Sequence, residues 1–112
     1  MPDSSLEARI VLTTVASLEE ATSMANKLVE ERLVACATII PAVSSVYRWE
    51  GRVTSAPEIL LVLKTTVALV QALDTRLHSL HTYDTPEFLV LPVEATTKGY
   101  LNWLAESLRV PS

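Results

Sequence analysis

The chain has 112 residues, a length that suits one domain of the common size, about 100–150 residues. Apolar residues make up 49% and charged residues 20%, which excludes the low hydrophobicity that keeps a chain disordered. The net charge is −4 and the nine Lys and Arg are scattered, so no basic stripe is available for a nucleic-acid backbone. No run approaches the roughly 20 continuous apolar residues of a membrane helix. Met1-Pro2-Asp3-Ser4-Ser5 lacks the basic start and apolar run of a secretory signal. Cys36, the single cysteine, allows no internal disulfide and fits a reducing compartment. The expectation is a cytoplasmic protein with no membrane or nucleic-acid partner, one domain over residues 1–112 with its core at about 8–109.

Arg9 to Val15 is a short β-rich run suited to a buried strand. Ser17 precedes Glu20 by three residues, the spacing of a capping box. Leu18, Ala21, Met24, Ala25, Leu28 and Val29 then form one apolar stripe, predicting a helix from Leu18 to Arg32. Val34 to Trp49 reads as a long strand, and Pro41, which has no amide to donate, should mark a bulge within it. Alternation sets Ser45, Tyr47 and Trp49 on one face and Val46 and Arg48 on the other. Glu50-Gly51 is a turn, and Arg52 to Thr65 returns as the partner strand. Leu69, Val70, Leu73, Leu77 and Leu80 predict a second helix over Val67 to Leu80. Thr82 to Pro86 is a loop, Phe88 to Val93 a last short strand, and Tyr100, Leu101, Trp103, Leu104 and Leu108 suit a closing helix.

The order β-α-β-β-α-β followed by a helix is the split-βαβ, ferredoxin-like α+β pattern. A hairpin arm of about 15 residues per strand would extend about 50 Å, whereas a compact chain of this length is about 35 Å across. The hairpin tip should therefore overhang its own domain, and it carries Val46, Tyr47, Trp49 and Val53. Exposed aromatics on a protruding strand edge call for a partner chain.

Five segments carry a family resemblance that runs from Ile10 to Leu108: Glu31 to Cys36, Ser45 to Gly51, Leu60 to Thr65, Leu80 to Glu87, and Tyr100 to Leu104. In these motifs, and in their order and spacing, the chain resembles the CutA divalent-ion-tolerance proteins. The resemblance implies a homotrimer, similar in architecture to the PII signalling proteins, in which long second–third strand hairpins pair between subunits through residues such as Tyr47 and Trp49. It also implies a role in tolerance of divalent metals, copper above all. Some members are thought to hold copper through a first-strand cysteine and two adjacent histidines. The corresponding positions here are Thr13, Leu80 and His81, so two of those three ligands are missing and any copper binding should be weak or differently built.

His81 is the candidate metal ligand, for Cu(II) or another divalent ion. Asp74, His78 and His81 fall at i, i+4 and i+7 and could share a face. The alternative for each histidine is a structural place near a helix C-terminus. Lys64, at the end of an apolar strand, needs a partner, and Glu87 is the candidate. Lys64, His81, Tyr83, Glu87 and Trp103 either line a subunit-interface cleft for a small metabolite or partner, as a PII-like signalling or scaffold trimer would have, or form an ion pair and hydrogen bonds that fix the fold. Cys36, between two alanines, reads as a small buried hydrophobe. The sequence holds no G-x-S-x-G, phosphate-binding glycine loop, C-x-x-C or H-E-x-x-H. No catalytic residue, no enzyme activity and no organic cofactor are expected.

Overall fold

The structure, a computed structural model, describes residues 6–111; the N-terminal segment read above for a secretory signal lies outside the described residues, as does Ser112. The elements run β1 (Ala8–Val15), α1 (Leu18–Glu30), β2 (Cys36–Trp49), β3 (Arg52–Thr66), a 3-10 turn (Val67–Leu69), α2 (Val70–Leu80), β4 (Leu89–Pro92) and α3 (Lys98–Ser107). The four strands form one antiparallel sheet in the order β2-β3-β1-β4. This is the α+β, ferredoxin-like arrangement that the sequence pattern predicts.

Alternation divides the sheet into two unlike faces. Val11, Thr13 and Val15 of β1, Ile59, Leu61 and Leu63 of β3, and Ala37 and Ile39 of β2 face the helices. They bury Ala21, Met24, Ala25 and Leu28 of α1 and Leu73 and Leu77 of α2. On the opposite face Ile10, Leu12, Leu60 and Val62 are only half-buried, while Ile40, Leu89 and Leu91 are exposed. A second, smaller cluster (Ala35, Leu69, Leu104 and Leu108) seats α3 at the end of the sheet where β1 starts and β3 finishes.

Local chemistry sets the element ends. Ser17 Oγ accepts the Glu20 amide at 3.1 Å, which is the first half of a capping box. The second half is missing, because the Glu20 carboxylate turns away to Thr82. Helix α1 stops at Glu30 rather than Arg32 because Arg32 takes φ 59. There the Leu33 amide donates to the Leu28 carbonyl and the Arg32 amide to the Val29 carbonyl, both at 3.0 Å, a Schellman ending without its usual glycine. Helix α3 begins at Lys98, two residues before Tyr100, because the Thr97 hydroxyl accepts the Tyr100 amide.

The hairpin turn is Glu50-Gly51, with φ 49 and 76, as a two-residue turn between twisted strands requires. Pro41 marks a bulge: Ile40 pairs with Leu60 but Val43 pairs with Glu58, so β2 carries one extra residue, and Ala42 takes φ 60. The extra residue changes the phase of β2. Before it, Cys36, Thr38 and Ile40 share the helix-free face with Lys64, Val62 and Leu60; beyond it, Val43, Ser45, Tyr47 and Trp49 continue that face beside Glu58, Ala56, Thr54 and Arg52. The described residues span 50 × 26 × 23 Å, with a radius of gyration of 14.9 Å against about 13 Å for a compact chain of this size.

Thr13 sits fully buried among the inward-facing residues of β1, and its hydroxyl has no hydrogen-bond partner among the described residues. An orphaned buried hydroxyl costs about 1–3 kcal/mol. Thr13→Val keeps the shape and removes the polar atom, so it should raise stability by about 1 kcal/mol. Urea midpoints at matched protein concentration check this, and a lowered midpoint would contradict the assignment.

Candidate functional site

The loop after α2 joins the helical layer to the edge of the sheet. His81 ends α2 by turning extended (φ −78, ψ 143), which sends its side chain towards β1. The ring is completely buried. Its Nε2 lies 2.8 Å from the Thr14 carbonyl and its Nδ1 accepts the Tyr83 amide at 3.0 Å. A carbonyl on one side and an amide donor on the other assign the proton to Nε2. Thr14 lies past the stretch of β1 that β4 pairs, Arg9 to Leu12, so His81 satisfies a carbonyl on an otherwise open strand edge.

Glu20 fastens the same loop from α1, accepting the Thr82 hydroxyl at 3.0 Å and the Thr82 amide at 3.3 Å. Tyr83 packs its ring against His81, with centroids 4.8 Å apart, and its hydroxyl donates to the buried Glu58 carboxylate at 2.8 Å. Burial, then the hydrogen bond to Glu58 and the nearby carboxylate charges, push the Tyr83 phenol from the usual 10 up to about 12. Tyr47, on the hairpin, is close enough to add to that effect. Sequence reasoning does not single out Glu58, and it reads Glu20 and Thr82 only as half of a capping box and the start of a loop. The one available signal was Glu58 itself, a carboxylate at the start of a buried apolar strand.

Lys64 lies at the other end of β3, six residues from Glu58, a separation of about 20 Å along a strand. Its Nζ donates to the Thr38 hydroxyl and sits 3.6 Å from Cys36 Sγ. The expected ion pair with Glu87 is not formed; Glu87 is exposed and makes no hydrogen bond or ion pair among the described residues. Lys64 lines a cavity of about 160 Å³ with Ile10, Tyr100 and Leu104. Trp103 is half-exposed and packs against Tyr100 in a tilted arrangement, with ring centroids 5.4 Å apart. One chain thus divides the candidate cleft residues into two groups, His81 with Tyr83 at one end and Lys64 with α3 at the other.

The predicted alignment of Asp74, His78 and His81 does not occur. His78 Nδ1 is 2.7 Å from Asp74 Oδ1, a local pair within α2, while His81 has left the helix. Among the described residues no group of three or more His, Cys, Asp or Glu side chains is placed to hold a metal ion. The free lone pair of the His81 ring, on Nδ1, is occupied by the Tyr83 amide, and the nearest carboxylate oxygen, from Glu20, is 3.8 Å away. A cation there would have to displace the amide.

A four-stranded antiparallel sheet covered by helices on one face, with a loop stitched to its edge through His81, defines a protein of the ferredoxin-like α+β class. The match to the family of CutA1 divalent ion tolerance proteins covers residues 9–107, and the chain belongs to that family. A divalent-cation tolerance protein CutA from Salmonella newport is 47% identical over 103 residues, 92% of this chain and 90% of that one. The structure of the divalent cation tolerance protein CutA1 from Thermus thermophilus superposes with a TM-score of 0.89 at 43% identity, covering 91% of this chain and 99% of its own. The structure described as the periplasmic divalent cation tolerance protein CutA of Archaeoglobus fulgidus gives 0.88 at 31% identity, over 91% and 99%.

The raised Tyr83 value means that the fold holds the neutral phenol. Its contribution is intact below about pH 10 and is lost as pH climbs through about 12. Ultraviolet titration of the folded protein should show a phenolate component near pH 12 that is absent from Tyr83→Phe. If that component survives the substitution, the Glu58 contact does not control the phenol.

Proposed function

We propose that the chain works as a homotrimer in divalent-cation tolerance, its arms and helix-free sheet faces packing against those of its neighbours. The observation that carries this is the exposed apolar surface of the arm: Val46 is 70% exposed, Val53 69% and Trp49 64%. Val46 and Val53 lie on one face, Tyr47 and Trp49 on the other, so both sides of the ribbon need cover. Each large apolar side chain taken from water is worth about 1.5–3 kcal/mol, and Ile40, Leu89 and Leu91 add to the same demand on the sheet face. The relatives named for divalent-cation tolerance support the biological role, and the single free Cys36 favours a reducing, cytoplasmic address, although the Archaeoglobus protein is described as periplasmic. In sedimentation at micromolar concentration the wild type should run at three times the 12.3 kDa protomer. Trp49→Glu combined with Val53→Glu should dissociate it, and a stable, well-folded wild-type monomer would refute the assembly.

Copper binding at His81 is weak in this reading, because Cu(II) must replace the Tyr83 amide on Nδ1 and gains at most the Glu20 carboxylate. Calorimetry with Cu(II) should show low affinity that His81→Ala abolishes; identical isotherms would remove His81 as a ligand.

A second reading, a PII-like signalling or scaffold trimer, is favoured by the split of the cleft residues. Lys64 stands about 20 Å along β3 from Glu58, the partner of Tyr83, so a pocket lined by both Lys64 and Tyr83 needs two subunits. Lys64→Ala should abolish any thermal shift produced by small organic anions in that cleft.

A further inference from the structure

The helical side of the protein holds a feature that neither the loop nor the hairpin uses. A groove of about 360 Å³ runs between α2 and the end of α1, with the C-terminal tail along its rim. Ala72, Thr75, Arg76 and Ser79 line it from α2 at i, i+3, i+4 and i+7, so they form one stripe, facing Glu31 and Leu33. Arg109 closes the rim, and its amide donates to the Arg32 carbonyl at 2.9 Å, which fixes the tail. This groove lies in the helical layer, away from the helix-free sheet face and the arm.

The charge of the groove opposes that of the chain. Three cations, Arg76, Arg109 and Lys27, act on the single Glu31 carboxylate and hold it below its usual range, the Arg76 hydrogen bonds being the largest cause. The whole protein carries −4. Arg76 binds Glu31 in a fork, Nε at 2.9 Å from Oε1 and Nη2 at 2.9 Å from Oε2, with Nη1 donating to Ser79 Oγ at 3.2 Å. Three of its five N–H groups are thereby used and two are left. The hydroxyl protons of Thr75 and Ser79 go to the carbonyls of Gln71 and Arg76. Donors for an incoming group therefore come from the guanidiniums, whose planar geometry suits a carboxylate. The floor between them is a small surface of Ala72 and Thr75 above Leu33, which is itself buried in the core.

We propose that this groove binds a small aliphatic carboxylic acid. Its head docks on Arg109 and the remaining N–H groups of Arg76, and its carbon chain lies over Ala72 and Thr75, above the buried Leu33. Glu31 occupies half of the guanidinium surface as an internal carboxylate, so it competes with the ligand. The volume falls within the range of small-molecule pockets, about 300–1,000 Å³.

Hexanoate is the probe, titrated into the full-length protein while the amide and arginine Nε–H resonances are followed by NMR. Saturable shifts are expected at Arg76, Arg109, Leu33 and Ala72. Arg109→Gln, whose native side chain makes no hydrogen bond or ion pair among the described residues, should fold normally and weaken binding about tenfold, the loss of one charged hydrogen bond. Glu31→Gln should tighten it by releasing Arg76, and hexanol, without the charge, should produce no shifts there. Absence of saturable shifts, or indifference to Arg109→Gln, overturns the site. Inorganic phosphate matching hexanoate in affinity and shift pattern overturns the assignment of an aliphatic acid.

Discussion

Two helices can cover one face of a four-stranded sheet, and in this protein α1 and α2 are fully spent on that task. Everything apolar on the other face has to find its cover elsewhere. The short helix α3 serves one end only, through Ala35, Leu69, Leu104 and Leu108. From Leu12 and Leu60 outward, Tyr83 reaches Glu58, and apart from that contact the described residues leave this face and the arm half-buried or exposed. The elongated shape follows from the same shortage, since a ribbon that finds no cover at home can project to find it in a neighbour.

The loop after α2 resolves a related difficulty at the sheet edge. Because β4 is only four residues long, β1 emerges beyond it with unpaired backbone groups. His81 takes one of them, Glu20 ties the loop to α1, and Tyr83 reaches the carboxylate of Glu58 on β3. A buried carboxylate is tolerable only while it is hydrogen-bonded. The loop therefore neutralises two defects, an open strand edge and a stranded acid, with adjacent side chains. This is why His81 has little freedom to act as a metal ligand within one subunit.

What could be read from the sequence was what repeats or what is chemically compulsory. The apolar stripe of α1, the alternation in the long strands, the turn at Glu50-Gly51 and the irregularity at Pro41 all announce themselves locally. Conformations that break a residue's habit do not: nothing in Arg32 declares a left-handed helix ending, so α1 seemed two residues longer than it is. Contacts between distant segments were equally hidden. Lys64 needed a partner, but a hydroxyl and a thiol across β2 met the need in place of Glu87. His78 and His81 looked like companions because helical spacing was extended one residue past the helix. Tyr83 and Glu58, 25 positions apart, are joined only by the path of the loop around the edge of β1.

The extra residue at Ala42 carries a consequence for how such an arm can vary. It rotates the outer half of β2 by one step, and only with that step do Tyr47 and Trp49 continue the surface begun by Cys36, Thr38 and Ile40. Excising Ala42 would turn the ribbon over, sending both rings to the side now held by Val46 and Arg48. Lengthening or shortening the arm between the bulge and the rings preserves this geometry only when both strands change together and by two residues at a time. The kink thus acts as a parity lock, and the ribbon's length is free to drift while its handedness of presentation is not.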